Sequence, residues 1–141
     1  MKGQCVCGKV VFDVEILNTD VHVCHCAMCR KQSSGVLMSI DIVPETLQFK
    51  AQQFLSIYDS SEWGERGFCN HCGTSLFWRL KNNEYANVNA FAVDLPEHNL
   101  HLDSEIFIDY KPKFYEFRNL TKKLTEAEVM ALVIESQKNS Q

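Results

Sequence analysis

The 141-residue chain lacks internal repeats, low-complexity segments and any stretch typical of an interdomain linker. No apolar run approaches the roughly 20 residues that a membrane-spanning helix needs, and the N-terminus has no signal-peptide core. A chain of this length can bury a hydrophobic core without help. We therefore expect one domain over residues 1–141, in the cytoplasm and with no membrane partner.

An excess of positive charge is also missing, because 14 Lys and Arg stand against 18 Asp and Glu, for a formal net charge of −4. This balance predicts no general attraction to nucleic acid or to anionic lipid. The basic pairs Arg30-Lys31 and Lys122-Lys123 are too short for a nucleic-acid footprint. We expect no nucleic-acid partner.

Seven cysteines distinguish an otherwise ordinary composition. They fall into three tight clusters: Cys5 and Cys7; Cys24, Cys26 and Cys29; and Cys69 and Cys72. In a cytosolic chain such clusters favour metal ligation or thiol chemistry over a disulfide scaffold, and an odd number of cysteines cannot pair completely. Pairing within one cluster of a redox protein remains an alternative.

Alternating apolar and polar residues predict short β-strands along most of the chain. The predicted strands are 9–16, 21–26, 36–43, 47–49, 54–58, 74–80, 85–93 and 106–110, with turns or exposed connections at 18–20, 32–35 and 59–67. The one predicted helix spans 125–137. It begins with the capping box Thr125-Glu126-Ala127-Glu128 and carries an apolar stripe of Val129, Leu132 and Val133. The pattern predicts a mostly β fold held by metal.

Glycine follows two of the three cysteine clusters at once, as Gly8 and Gly73. A turn that aims backbone N–H groups at a thiolate sulfur tends to need a residue with positive φ just after the ligand, which glycine supplies without strain. Of the arithmetically open partitions, this favours one four-thiolate structural site. Its ligands would be Cys5, Cys7, Cys69 and Cys72, and metal binding there would contribute to folding.

The remaining thiols, Cys24, Cys26 and Cys29, can be turned by one small loop toward a single ion. Zinc suits them, since it accepts thiolate at about 2.3 Å, and three protein ligands with an open fourth position are typical of catalytic zinc. That position could take a water or substrate thiol, or His22 from the same strand face. It is also open whether the trio holds metal tightly at all.

Two cations and two further histidines flank these thiols. Arg30 and Lys31 would lower thiolate pKa values and offset the negative charge of a Zn(Cys)₃ centre, and could attract a carboxylate of the substrate. For Lys31 an ordinary surface role is the alternative. We expect His25 and His71 to pack or make polar contacts rather than ligate.

The order of these motifs resembles the glutathione-dependent formaldehyde-activating enzyme family, which also includes centromere protein V-like members. The matching segments are Gly3-x-Cys5-x-Cys7-Gly8, Cys24-His25-Cys26-x-x-Cys29-Arg30, Gly35 and Arg66-x-Phe68-Cys69-x-x-Cys72-Gly73. The resemblance covers about residues 3–117. Seven cysteines in the family's three clusters make a far more specific signal than a lone C-x-x-C.

The resemblance implies a β-tent-like fold of several small antiparallel sheets around two zinc sites. It implies structural zinc at Cys5, Cys7, Cys69 and Cys72, and catalytic zinc at Cys24, Cys26 and Cys29, with Arg30 in the catalytic site. The implied activity is a carbon–sulfur lyase reaction that interconverts S-hydroxymethylglutathione with glutathione and formaldehyde. Glutathione is thus a candidate co-substrate, and the expected partner is a small thiol or thiol adduct.

Two other hypotheses compete with a lyase. The chain could be a non-catalytic, zinc-stabilised binding module of the centromere protein V-like type, which would need a partner surface. It could also sense redox state or metal through the trio, which predicts reversible disulfide formation among Cys24, Cys26 and Cys29 with loss of zinc.

Overall fold

The computed structural model describes residues 1–96 and 99–139, and within them the fold is mostly β, as predicted. The strands are β1 (Lys2–Gln4), β2 (Val11–Asp13), β3 (Ile16–Cys24), β4 (Leu37–Ile42), β5 (Gln48–Ala51), β6 (Leu55–Tyr58), β7 (Gly64–Cys69), β8 (Ser75–Leu80), β9 (Ala86–Asn89), β10 (His101–Ile106) and β11 (Lys122–Leu124). The α-helices are α1 (Ala27–Ser33) and α2 (Glu126–Asn139). In the part of the chain that is described, no helix is both long and apolar enough to span a bilayer.

The chain divides into two compact units. The first comprises Met1–Val21 with Met38–His101, and the second His22–Leu37 with Leu102–Gln141. In the first unit, β1, β2 and β5 form a three-stranded antiparallel sheet. A second set of antiparallel neighbours runs in the order β4-β9-β8-β7-β6.

Three aromatic rings pack together in the first unit, beside a largely aliphatic core. Phe12 on β2 and Phe77 on β8 both pack against Phe49 on β5, with ring centroids 5.8 and 5.7 Å apart. Val10, Phe12 and Val14 are buried, so the alternation predicted for 9–16 is confirmed although β2 itself is shorter. Burial of such side chains supplies most of the driving force for folding.

The strand β7 replaces much of the exposed connection predicted over 59–67, and that prediction is wrong from Gly64 onward. Its glycines admit the aromatic side chains of the neighbouring strand. A Cβ atom on Gly67 would lie 2.1 Å from the Phe77 ring, and one on Gly64 would lie 2.7 Å from the Trp78 ring. These glycines are therefore needed for close packing rather than for a loop.

In the second unit, β10 pairs in parallel with β11. The helix α1 was not predicted, and it takes up Gln32 and Ser33 of the predicted loop. It ends at Ser34, whose φ of 56° is left-handed. The strand predicted over 106–110 is also wrong, because β10 stops at Ile106 and Phe107 turns into the left-handed region with a φ of 55°.

The turn predicted at 18–20 is wrong as well, since these residues continue β3. The C-terminal helix and its capping box are confirmed: the Glu128 N–H donates to Thr125 Oγ1 at 3.3 Å, and the Thr125 N–H donates to Glu128 Oε1 at 3.1 Å. The predicted stripe does not pack, because Leu132 is 54% and Val133 45% exposed.

Replacing Gly67 with Ala should lower the free energy of unfolding by on the order of 1–3 kcal/mol, because the methyl group overlaps the Phe77 ring and the core must shift. Urea denaturation at a fixed zinc concentration measures the change. Gly35→Ala is the matched control, since nothing lies within 4 Å of its Cβ position. Equal stability of the two variants would contradict this packing account.

Candidate metal centres

Four thiols of the first unit converge at the ends of its strands. The sulfur atoms of Cys5, Cys7, Cys69 and Cys72 all lie within 4.8 Å of one another. The Cys5–Cys7 separation is 3.5 Å and the Cys7–Cys69 separation 3.8 Å. A tetrahedron with zinc–sulfur bonds of about 2.3 Å has edges of about 3.8 Å, whereas a disulfide needs about 2.05 Å. The donor set therefore fits a closed zinc site.

Both glycines that follow this cluster have the conformation expected of them, with φ of 75° at Gly8 and 83° at Gly73. The Gly8 N–H donates to the Cys5 carbonyl at 3.1 Å, and the Gly73 N–H to the Cys69 carbonyl at 2.8 Å. The turn also brings the Val10 N–H to 3.3 Å from the Cys5 sulfur. These turns aim backbone donors at thiolates, as predicted.

Two of these thiols, Cys72 and Cys7, have opposing protonation preferences. The Thr74 hydroxyl, 3.1 Å from the Cys72 sulfur, and neighbouring backbone N–H groups lower the pKa of Cys72 to about 5. Desolvation and the neighbouring thiols raise the pKa of Cys7 to about 12. Four thiolates at these distances repel one another, so full ionisation requires a compensating cation.

The second cluster is built where β3 passes into α1. Cys24 is the last residue of β3, Cys26 is the N-cap of α1, and Cys29 is buried in its first turn. Their sulfur atoms also lie within 4.8 Å of one another. The Cys26 sulfur accepts a hydrogen bond from the Cys29 N–H at 3.3 Å, so the x-x spacing that gathers the thiols also starts the helix.

Hydrogen bonds with the other two thiols have the largest effect on the protonation of Cys24. Bonds with Cys26 and Cys29, followed by burial, raise the pKa of the Cys24 thiol well above its usual value. Three thiolates at this distance need a cation as much as four do, and zinc, which prefers thiolate, fits the donor set.

No histidine or carboxylate in residues 1–96 or 99–139 joins the three sulfur atoms as a fourth donor. The strand predicted over 21–26 ends at Cys24, so His22 shares a strand face with Cys24 but not with Cys26. The His22 Nδ1 lies 2.6 Å from Ser104 Oγ and 4.0 Å from Asp103 Oδ2. His71 packs its ring against Phe54, 5.5 Å away. The trio is thus a three-donor group.

His25, between two of these cysteines, is fully buried at 0% exposure and pairs with an equally buried carboxylate. Its Nε2 donates to Glu105 Oε1 at 2.8 Å, and the Tyr115 hydroxyl lies 3.4 Å from its Nδ1. Thr121 Oγ1 donates to the other oxygen of Glu105 at 2.5 Å, and Lys123 Nζ lies 3.8 Å from that oxygen. Burial raises the pKa of Glu105, but hydrogen bonds from Thr121 and His25 outweigh it, and the net shift is downward.

Glu105 and Thr121 were missed by sequence reasoning. The available signal was the position of Glu105, a charged residue directly before the apolar run Ile106-Phe107-Ile108. A carboxylate in such a strand is either exposed or paired, and no spacing rule points to His25, which lies 80 residues away.

Arg30 lies in the last turn of α1 together with Lys31. Its Nε donates to the backbone carbonyl of His25 at 2.9 Å. The guanidinium therefore has a contact with the loop that carries the thiols. The sequence predicted a role for the positive charge of Arg30 but not its hydrogen bond to the His25 carbonyl.

The chain is similar in sequence and in structure to known proteins. A family model described as glutathione-dependent formaldehyde-activating enzyme matches residues 1–110. An uncharacterised lyase of Schizosaccharomyces pombe is 31% identical over 135 residues, which cover 94% of this chain and 96% of that protein. A provisionally named glutathione-dependent formaldehyde-activating enzyme of Podospora anserina is 34% identical over 84 residues, or 55% of this chain and 38% of that protein. The crystal structure of a Rhodobacter sphaeroides protein superposes with a TM-score of 0.60 at 25% identity, over 70% of this chain and 93% of that one.

Elemental analysis should find two zinc ions per chain, because the two thiol groups are separate donor sets. Cys26→Ser should retain one zinc and the fold, since serine also caps a helix. Cys69→Ser should fail to fold or melt at a much lower temperature, because structural zinc supplies folding energy directly. Circular dichroism melts on the same samples test stability.

The comparison between the variants decides the assignment. Loss of folding in Cys26→Ser together with an intact Cys69→Ser would contradict the division into a structural and a second, open site.

Proposed function

The chain belongs to the glutathione-dependent formaldehyde-activating enzyme family, and from that premise we propose that it is a zinc-dependent carbon–sulfur lyase. Its substrate would be a thiol–aldehyde adduct such as S-hydroxymethylglutathione. The name of the Schizosaccharomyces pombe relative supports a lyase, and the family description supports glutathione as the thiol. Zinc is the metal that the donor set favours.

One observation carries the proposal: three thiols converge while no His, Asp, Glu or further Cys side chain of the described residues joins them as a fourth donor. A closed site of four thiolates would serve structure alone, whereas three ligands leave a position for a substrate atom. Zinc held by Cys24, Cys26 and Cys29 would supply a Lewis acid at that position.

In the proposed cleavage, the carbon–sulfur bond of the adduct breaks and its electron pair leaves with sulfur. The hydroxyl group gives up its proton to water as the carbonyl of formaldehyde forms. The chain's own contribution is to hold three sulfur donors in one place. Cys29 is fixed by α1, and Cys26 is fixed by accepting the N–H of Cys29.

Arg30 would orient a substrate carboxylate. A guanidinium carries five N–H donors, so the bond from its Nε to the His25 carbonyl is compatible with a second, bidentate partner. A fixed positive charge next to thiolates would also favour their ionised form. Glutathione, which has two carboxylates, is a suitable ligand for such a cation.

Calorimetric titration of glutathione into the zinc-loaded protein should show saturable binding that disappears in Cys26→Ser. The physical reason is that the thiol of glutathione would occupy the open position. S-methylglutathione, whose sulfur is blocked, is the matched control ligand and should not bind comparably. Equal binding of both ligands would place recognition on the peptide and contradict sulfur coordination.

Formaldehyde release from S-hydroxymethylglutathione should be faster with the protein than in buffer, and Cys26→Ser should return it to the spontaneous rate. If neither release nor glutathione binding occurs in protein that holds two zinc ions, the lyase proposal fails and a non-catalytic binding module becomes the better account.

Arg30→Ala should raise the KM for the adduct about 10- to 100-fold, the loss expected for a charge-assisted hydrogen bond of about 1.5–3 kcal/mol. Lys31→Ala removes the adjacent exposed cation and should change KM little. Similar effects of the two variants would indicate general charge attraction rather than a positioned guanidinium.

A further inference from the structure

We propose that the buried His25–Glu105 pair positions the three-thiol cluster and thereby sets its affinity for a divalent metal. The inference rests on the proposed function in one respect, that the trio holds a metal. His25 and Glu105 are positioning residues, because neither is among the three donors that meet at the cluster.

His25 lies between Cys24 and Cys26 in the chain, so its backbone connects two of the three thiols of the trio. Its N–H donates to the Ile106 carbonyl at 3.0 Å, and its carbonyl accepts the Nε–H of Arg30 at 2.9 Å. Rotation of either peptide group around His25 would displace one sulfur donor relative to the others. Metal sites need ligands held within about 0.5 Å of their working geometry.

The side chain of His25 supplies the remaining constraint. Its ring is held by Glu105 at one nitrogen and faces the Tyr115 hydroxyl at the other. The Tyr115 and Phe117 rings pack around it, with centroids 6.3 and 6.2 Å away. Both nitrogens thus have partners, and the ring can adopt only an orientation that satisfies them.

An apolar side chain could be buried equally well at position 25, since Val21 and Val23, which precede it and lie on β3, are both buried. Replacing a buried polar pair by apolar residues is often neutral or stabilising, so burial alone does not explain the pair. What the pair adds is direction: the carboxylate of Glu105 is held by Thr121 and Lys123, and it fixes the imidazole in turn. The direction is imposed between two metal donors.

The test measures metal affinity rather than activity. Zinc is withdrawn from the loaded protein by a colorimetric chelator, and the two sites are resolved as two phases. Glu105→Ala, which removes the hydrogen bond, should weaken the trio about 10-fold, the lower end of the loss typical of groups bonded directly to a metal ligand, because Glu105 acts through His25. Glu105→Gln keeps an acceptor for His25 and should recover most of the affinity. The four-thiol phase should stay unchanged in both.

A milder variant keeps the test decisive if Glu105→Ala does not fold. Thr121→Val is nearly isosteric and removes one donor to Glu105, so it should weaken the trio in the same direction by a smaller factor. Glu65→Gln is the matched control, since Glu65 accepts a 2.8 Å bond from Arg79 in the first unit. It should alter neither phase.

Replacing zinc by cobalt gives a second measurement, because the visible spectrum of cobalt would not change if the His25–Glu105 pair only stabilised the fold. At saturating cobalt, the visible absorption of the trio should shift in Thr121→Val and Glu105→Ala, because the sulfur geometry changes. Wild-type affinity and spectrum in both variants would overturn the proposal while leaving two metal sites and the lyase intact. If wild-type protein binds metal only at the four-thiol group, the metal centre of the proposed function fails, and with it this inference.

Discussion

Thiolates held close together repel one another, and the rest of this structure depends on how that repulsion is relieved. In each of two groups, sulfur atoms lie within 4.8 Å of one another, and no disulfide joins any of these seven cysteines. A dication would remove the repulsion between thiolates at both places. One group has four donors and the other three. In the function we propose, that difference of one sulfur would separate a site that stabilises the fold from one that can bind a substrate atom.

Each compact unit builds its own cluster from different elements. The first uses two glycine turns, in which positive φ angles direct backbone N–H groups toward sulfur. The second uses a strand end and the first turn of a short helix, where Cys26 serves both as cap and as donor. In the second cluster the thiols lie next to the loop residue His25, whose buried ring is hydrogen-bonded to Glu105. This cluster needs support from outside the motif, and the His25–Glu105 pair supplies that support in our account.

The motifs that the sequence predicted best are those governed by local rules. Gly8 and Gly73 follow from the φ requirement of a thiolate turn, and Thr125 with Glu128 from the capping box. The predictions that were wrong or missing concern structure that depends on contacts distant in sequence or on the arrangement of the three thiols. Gly64 contributed to the prediction of a connection over 59–67, but the structure shows that Gly64 and Gly67 make room for the Trp78 and Phe77 rings. The helix α1 starts because Cys26 caps it, and an alternation pattern could not contain that information. The partner of His25 lies too far along the chain for any spacing rule.

The central claim is that one zinc is closed by four thiolates while the other keeps a position for a thiol. X-ray absorption at the zinc edge counts sulfur neighbours directly. The account predicts about 3.5 sulfur atoms per zinc on average, since one group has four thiolates and the other three, rising to about 4 when glutathione is added. An average of four before glutathione, or no change on its addition, would contradict it.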